Sequence, residues 1–530
     1  MLRLTNVNVP LSFTEASLRT AILNKLSLKS SDLISFTVVR RSVDARDRRD
    51  VHFVLSVDLK LKNESALLKK KKGLSPVPAP SPLTLPASGF VHRPLVVGAG
   101  PAGLFAALTL ARAGARPVLA ERGQPVELRS RDVEAFSSGG PLDAESNVQF
   151  GEGGAGAFSD GKLTCGIKSP LIHDVLETFV RHGAPDDILI DQKPHIGTDL
   201  LRNVVRSMRQ EIESLGGTVL FQTRLEELVL QGEHVVGAVL RRGEEQLELR
   251  TDTVLLCIGH SARDTVQRLF RQGVRMASKP FAVGVRIEHP REMINRSQYG
   301  SFASHPALGP ASYKLNVHTP DGRGVYTFCM CPGGHVIAAA SQPGGVVTNG
   351  MSFHARDALN SNAALLVGIR PEDFGDDHPL AGLVFQRAIE KAAFAAGGGS
   401  YRAPAQRVED FLAGRPTSAF GSVLPSYRPG VTPADLREVL PVYVIEDLKK
   451  GIRGMDAQLS GFAMPDAVLT GPETRSSSPV RMVRGSTGEA ECISGLYPAG
   501  EGAGYAGGIV SAAVDGIRAA VSALEKSTLL

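Results

Sequence analysis

The 530-residue chain has no stretch of about 20 consecutive apolar residues, which excludes an ordinary membrane-spanning helix. Its first residues, MLRLTNVNVP, lack the charged-then-apolar pattern of a secretory signal. Five cysteines, odd in number and scattered, argue against a disulfide framework and for a reducing compartment, so a cytoplasmic location is expected. Beyond one GxGxxG fingerprint there is no second, which counts against a dedicated NAD(P)H domain. What remains is an ordinary globular composition, 42% hydrophobic and 21% charged, in a chain long enough for two or three domains. The 56 glycines cluster in loops and point to ligand sites lined by backbone. Net charge is +5, unevenly placed: residues 1–72 carry 15 Lys/Arg against 7 Asp/Glu, or +8, leaving −3 for the rest. A basic leading segment suits nucleic acid, an anionic surface or an acidic partner, and equally a solvated face.

The most informative stretch is 95–122, LVVGAGPAGLFAALTLARAGARPVLAER. Leu95-Val96-Val97 reads as a buried parallel strand, and apolar residues from Leu104 to Ala111 recur at helical spacing. Gly114 stops that helix, and a second strand runs from Arg116 to Glu121. In this setting Gly98 permits the tight turn, and Gly100 lets a pyrophosphate approach bare backbone. Gly103 lets helix and strand pack closely. Pro101 and Ala102 open the helix, whose N-terminus holds phosphate through free N–H groups and its dipole. Glu121, 18 residues beyond Gly103, is placed for an adenosine ribose, with Arg122 beside it.

Two further glycine-rich loops extend the pattern. Gly495–Ala520 reads as strand, Gly500-Glu501-Gly502, then a helix opened by Gly507-Gly508-Ile509. In flavin enzymes such an acid holds ribityl hydroxyls, and such a helix end stabilises the reduced ring. Paired with the opening fingerprint nearly 400 residues earlier, this motif selects FAD over a plain NAD fold. Phe150–Lys162, FGEGGAGAFSDGK, offers Gly154, Ser159, Asp160 and Lys162 to the diphosphate and the ring edge.

The fold class expected is α/β: a Rossmann-like FAD/NAD(P)-binding domain split by an inserted α+β substrate domain, preceded by a small α+β module. The divisions are 1–72 for the basic module, 73–92 for a Lys/Pro-rich linker, 93–278 and 476–530 for the FAD-binding parts, and 279–475 for the insert. In the module, Leu2–Val9 reads as a strand and Ser12–Leu26 as a helix capped by Ser12, with Glu15 at its third position. Ile34–Val39 and Val51–Leu61 read as strands. Lys69–Lys72 and the proline run Ser75–Ser88 read as linker. In the insert, Val325–Cys331 and His335–Ala340 read as a hairpin around Pro332-Gly333-Gly334.

Candidates for chemistry follow from position. His260, just after the buried strand Thr253–Ile258, sits where a proton donor to a flavin would. Ser261 and Asp264 read as cap and first-turn acid of the next helix. Arg286 and His289 alternate across a strand, facing substrate or solvent. Arg475, where the chain re-enters the FAD-binding part, is the leading candidate for binding an anionic substrate. Lys162 and Tyr505 are candidate neighbours of the ring. Cys329 and Cys331, two apart on one strand face, read as packing residues, and no His/Cys set has metal-ligand spacing.

The stretches FGEGGAGAFSDGKL, IGHSARDT, KPFAVGVRIEHP, FCMCPGG, GPETRSSSPVRM and YPAGEGAGYAGG, taken in order, resemble the family of uncharacterised FAD-dependent dehydrogenases, often labelled NAD(FAD)-utilising dehydrogenases. The likeness runs from about residue 34 to 525 and includes RSVDAR at Arg41–Arg46. It implies a glutathione-reductase-like FAD fold, non-covalent FAD and hydride transfer, without naming a substrate. IGHSARDT departs from the commoner ATG signature at its third position, which lowers the weight on Gly259. NAD(P)H, lacking its own domain, would serve as a transient donor in the substrate cleft. The alternative function is an RNA-associated, tRNA-modifying flavoprotein that uses the basic module.

Overall fold

The computed structural model describes residues 1–70, 73–79 and 83–529. The parallel sheet comes first because it positions everything else. Its five strands are three residues each and lie in the order Leu496–Pro498, Val254–Leu256, Leu95–Val97, Val118–Ala120, Thr218–Leu220. All neighbouring pairs are parallel, and the four strands from Leu496–Pro498 to Val118–Ala120 are buried throughout. That burial explains their unbroken apolar sequence. Helices Pro101–Arg112 and Ile509–Ser527 pack on one face, with Thr198–Ser214 beside them. Two glycines permit the contact. A Cβ on Gly103 would strike the Gly98 carbonyl, and one on Gly516 would strike that of Ala102. A three-stranded antiparallel ribbon, Arg224–Gln231, His234–Arg242 and Glu245–Arg250, supplies the crossover.

The segment between the parallel strands builds a seven-stranded sheet. Its order is Asn316–His318, Gly324–Cys331, Asn360–Ile369, Phe281–Pro290, Val468–Glu473, Ala403–Arg407, Val431–Pro433. Helices Ala381–Ala396 and Val442–Asp456 contribute to a core of their own. The chain passes between the two sheets through a short antiparallel pair, Met276–Ser278 with Val480–Met482. Glu390 ties the two parts together. Its buried carboxylate accepts both guanidinium forks, Arg263 at 2.8 Å and Arg475 at 3.0 Å.

Residues 1–76 form a four-stranded sheet in the order 33–44, 52–61, 2–10, 74–76, with the helix Glu15–Leu26 contributing Leu18, Ile22 and Leu26 to its core. Several sequence expectations change here. The N-cap is Thr14, forming a capping box with Ser17, so the helix begins after Ser12. Leu74–Pro76, read as linker, pairs with Leu2–Leu4 as an edge strand. Lys69 and Lys70 end a helix from Glu64 to Lys70, while Lys71 and Lys72 lie outside the described residues, as do residues 80–82 of the proline run. Four arginines of the module are ion-paired: Arg3 to Asp58, Arg41 to Asp191, Arg46 to Asp44 and Arg49 to Asp47. The Arg41 pair, with backbone bonds at 2.7 and 2.9 Å to Ile190 and Gln192, docks the module on the segment 190–192.

The expected hairpin around Pro332-Gly333-Gly334 does not pair. Gly324–Cys331 bonds to Asn360–Ile369, whereas His335–Ala338 bonds to Thr348–Met351 in a separate ribbon. The first of these ladders carries a bulge: Phe328 faces Ala364 and Cys331 faces Asn362, so one extra residue is accommodated before the turn.

Candidate active site

The carboxyl ends of four parallel strands open into one cavity of about 760 Å³, closed on the far side by the seven-stranded sheet. This is where open α/β sheets place ligands. Gly98 has φ +97°, and a Cβ there would lie 2.5 Å from the Cys257 carbonyl oxygen. Gly100 differs, because its added Cβ would meet no protein atom nearer than 3.8 Å, at the Gly154 Cα. Gly154, at φ +58°, packs directly against it, a Cβ on Gly154 lying 2.9 Å from the Gly100 Cα, so two stretches of bare backbone meet at the cavity wall. Pro101 is the first helical residue, and Ala102 lines the cavity beside it. Gly103 lies behind the wall in the packing position described above.

Glu121 is buried, and its carboxylate accepts the N–H groups of Ala99 at 2.7 Å and of Gly123 and Gly151 at 2.9 Å. Three of about four acceptor positions are thus taken, leaving one for a hydroxyl. Arg122 stacks 4.1 Å over the Phe150 ring and pairs with Glu145 and Asp264. Asp264 is therefore a first-turn acid with an arginine partner. Ser261 is not the cap, since Ala262 holds that position and the Ser261 hydroxyl bonds Gln149 at 3.0 Å.

At the other end stand Gly500, Glu501, Gly508 and Ile509, the last at the N-terminus of its helix. Burial pushes the Glu501 carboxyl up to about 7, only partly opposed by Lys279. His260 Nδ1 lies 3.6 Å from Glu501 Oε1, and its Nε2 is buried without a partner. Burial, then Arg475 and Arg263, push His260 down to about 3. Burial and those two cations favour the neutral imidazole, whose N–H can donate beside Glu501.

Arg475 lines the cavity, but its guanidinium is bidentate to Glu390 and bonded to Ser341. It lends positive potential and is not free for bidentate anion recognition. Arg286 and His289 do not face solvent. Arg286 is fully buried against Glu473, bonding it at 2.9 Å, and His289 bonds the Phe462 carbonyl at 2.8 Å. Tyr505 lies outside the wall, with Arg484 3.8 Å over its ring. In the third loop, Ser159 bonds within the loop and Asp160 is buried between Lys162, Ser352 and Arg356. Asp160 is held well below the usual carboxylate range because those two cations outweigh its burial. Lys162 lines the cavity, 2.9 Å from Asp160, and bonds the Met330 carbonyl. Burial works against its charge, but Asp160 and the two nearby cysteines more than offset this and raise it.

The far wall was not legible as a site: Lys193, Ser312, Lys314, Cys329, Arg356 and Glu473 all reach the cavity. Of Cys329 and Cys331, only Cys329 reaches the cavity. The bulge gives Cys329 φ +41° and turns it to the cavity, while Cys331 is fully buried. No group of three or more His, Cys, Asp or Glu suited to a metal occurs among the described residues.

Three family models match. An FAD binding domain covers residues 93–156, an "FAD-dependent protein, C-terminal domain-like" model covers 280–476, and a domain of unknown function covers 1–60. A protein from Clostridium beijerinckii, described as uncharacterized, is 46% identical over 533 residues, covering 100% of this chain and 99% of its own. The chain belongs to the uncharacterised family of FAD-dependent proteins that this relative and these models mark. It carries an FAD-binding domain. Solved structures similar to this chain include a glycerol-3-phosphate dehydrogenase from Bacillus halodurans complexed with FAD. It is 12% identical with a TM-score of 0.36, over 83% of this chain and 65% of that one. A geranylgeranyl bacteriochlorophyll reductase-like protein from Thermoplasma acidophilum has the same identity and score, over 83% and 82%. No helix among the described residues is long and apolar enough to cross a membrane.

The site fits the cofactor on its own geometry. It offers two helix N-termini, a glycine pair that a Cβ would narrow, and an unpartnered His260 nitrogen at the end where a ring would lie.

Proposed function

We propose that this chain is an FAD-dependent oxidoreductase, which holds FAD non-covalently in the 760 Å³ cavity and exchanges hydride with a small anionic molecule at its far wall. FAD, when bound, supplies a two-electron hydride acceptor and donor. The chain's part is binding and electrostatics. The N-terminus of helix Pro101–Arg112, bared by Gly100, takes the pyrophosphate, and Glu121 takes the adenosine ribose with its remaining acceptor position. Gly500 and Glu501 meet the ribityl chain. The N-terminus of Ile509–Ser527 places positive potential where negative charge develops on reduction. Glu501, pushed up to about 7, holds or releases a proton near neutrality, and neutral His260 offers a hydrogen bond beside it.

The observation that carries the anionic substrate is the charge of the far wall. Among the described residues, Lys193 and Lys314 line it with no carboxylate in ion-pair contact, and Lys193 instead bonds Ser312 at 2.9 Å. Lys162, Arg356 and Arg475 add to the potential. A nicotinamide donor would use this same wall transiently. Anaerobic stopped-flow mixing of the FAD-loaded chain with NADH and NADPH tests that step. Saturable bleaching of the flavin supports it, and flavin that stays oxidised with both removes NAD(P)H from the scheme. Purified protein unable to take up FAD would refute the whole reading.

A further inference from the structure

Arg41 opens the stretch RSVDAR and stands in the strand 33–44, an edge of the module's sheet. An edge strand leaves N–H and C=O groups unpaired, and those of Arg41 are taken by a segment 150 residues away. Its N–H donates to the Ile190 carbonyl at 2.7 Å, and its carbonyl accepts the Gln192 N–H at 2.9 Å. Its guanidinium forks onto Asp191 at 2.7 and 3.1 Å. Residues 190–196 then run on as a strap, of which Gln192, Lys193 and Pro194 line the cavity. The other end of the strap is bonded to the third glycine-rich loop. There the Leu163 N–H donates to the Pro194 carbonyl at 3.0 Å, and the Ile196 N–H to that of Gly161 at 3.1 Å. That loop carries Asp160 and Lys162 to the same cavity. Lys193 Nζ donates to the Ser312 hydroxyl at 2.9 Å, and Ser312 begins the wall stretch 312–314. The module also grips the chain just before that stretch. Tyr299, Phe302 and Leu308 pack on its core, and a Cβ on Gly300 would lie 3.0 Å from the Arg48 carbonyl oxygen.

We propose that residues 1–76 are a positioning element of the far wall, with Arg41 as the positioning residue that holds the strap. Among the described residues none of the module's lines the cavity, so it acts through the two segments it grips. The strap lies outside the helices and strands, and its ladder contacts are single bridges, Asp191 to Arg41 and His195 to Lys162. A segment with so few bonds of its own takes its position from its anchors. One anchor is the cavity loop, and the other is the module. Lys193 is the residue whose placement matters. Partial burial, then Arg356 and Lys162, hold its amine below the usual lysine range, and an anionic molecule at the wall would favour its charge again. The stretch 1–60, matched by a domain of unknown function, thereby gains a task. The inference deepens the function proposed above. It rests on that reading for the far wall as the substrate's side, and not for the geometry of the strap.

The test compares the full-length protein with Arg41→Glu, which sets a like charge against Asp191, and with Asp191→Lys, which does so from the other side. Arg41→Lys keeps the charge and the backbone bonds as the conservative variant. Hydrogen exchange, read peptide by peptide on the FAD-free proteins, should quicken at least about threefold in 190–196 and in 161–163, with the parallel strands unchanged. The acetylation pH profile of Lys193 should move upward as its amine leaves Arg356 and Lys162, while that of the exposed Lys391 stays. In the FAD-loaded proteins, FAD affinity should stay within about threefold, since Glu121 is held by Ala99, Gly123 and Gly151 and not by the strap. The NADPH concentration for half-maximal bleaching should rise at least about fivefold. Arg41→Lys should recover most of each effect. Faster exchange confined to residues 1–76 and 190–192, with an unmoved Lys193 profile, would make the docking a mere joint and overturn the proposal, as would no change anywhere. Changes in the strap and at Lys193, with no bleaching by NADPH even in the parent, would uphold this inference and refute an NADPH step. A parent that shows them yet takes up no FAD would uphold it and refute the flavin reading.

Discussion

Two glycines two residues apart should fail in different ways when each is replaced by alanine. At Gly98 the backbone is at φ +97°, and the new Cβ would sit 2.5 Å from the Cys257 oxygen and 2.9 Å from its carbon. A left-handed alanine costs about 1–2 kcal/mol and overpacking against backbone about 1–3 more. Gly98→Ala should therefore lose about 2–5 kcal/mol of stability with or without FAD. At Gly100, φ is −74° and the nearest atom to a Cβ is 3.8 Å away, so the fold has room. The entropic gain of about 0.4–1 kcal/mol from Gly→Ala is offset by a poorer N-cap. Stability of the FAD-free protein should then stay within about 1 kcal/mol. The methyl group instead occupies the approach of the pyrophosphate, so FAD affinity should fall at least about tenfold, about 1.4 kcal/mol. Urea unfolding of the FAD-free proteins and fluorescence titration with FAD read the two quantities separately. A Gly100→Ala protein that is stable and binds FAD like the parent would refute the reasoning.

Glu390→Ala strands two buried guanidiniums and should cost about 3–5 kcal/mol in urea unfolding, whereas a loss below about 1 would show that the pair does not tie the domains. Arg41→Ala removes a pair about one-third exposed on both sides and should cost no more than about 1 kcal/mol by the same measurement. Glu501 titrates higher folded than unfolded, so the stability it contributes is present below about pH 4.5 and lost as pH rises through about 7. Glu501→Gln should flatten that part of the stability profile by up to about 3 kcal/mol, less for its partial exposure, and an unchanged profile would contradict the burial argument.

Glycine fingerprints, buried strands and their acids were legible because each follows from short-range rules. Gly98, Gly100 and Gly103 have different steric surroundings, and sequence alone assigns those differences correctly. Gly154, Gly500 and Glu501 come to the same cavity because the strand ends converge there. What sequence misses is partnership at long range. Arg475 looked free until Glu390, 85 residues earlier, was placed against it. Nor does sequence show that burial, then Arg475 and Arg263, push His260 down. Sequence could not show the one inserted residue in the ladder between Phe328 and Cys331, which leaves Cys329 at the cavity and Cys331 in the core. The edge strand Leu74–Pro76 hid in a proline-rich run because edge strands tolerate proline.

The most direct measurement is an experimental structure of the FAD-loaded chain. The predicted result is pyrophosphate at the N-terminus of helix Pro101–Arg112, against the bare backbone of Gly100 and Gly154, and the ring at Gly508–Ile509 with His260 and Cys329 about it. FAD bound elsewhere, or with its ring turned away from that end of the cavity, would contradict it.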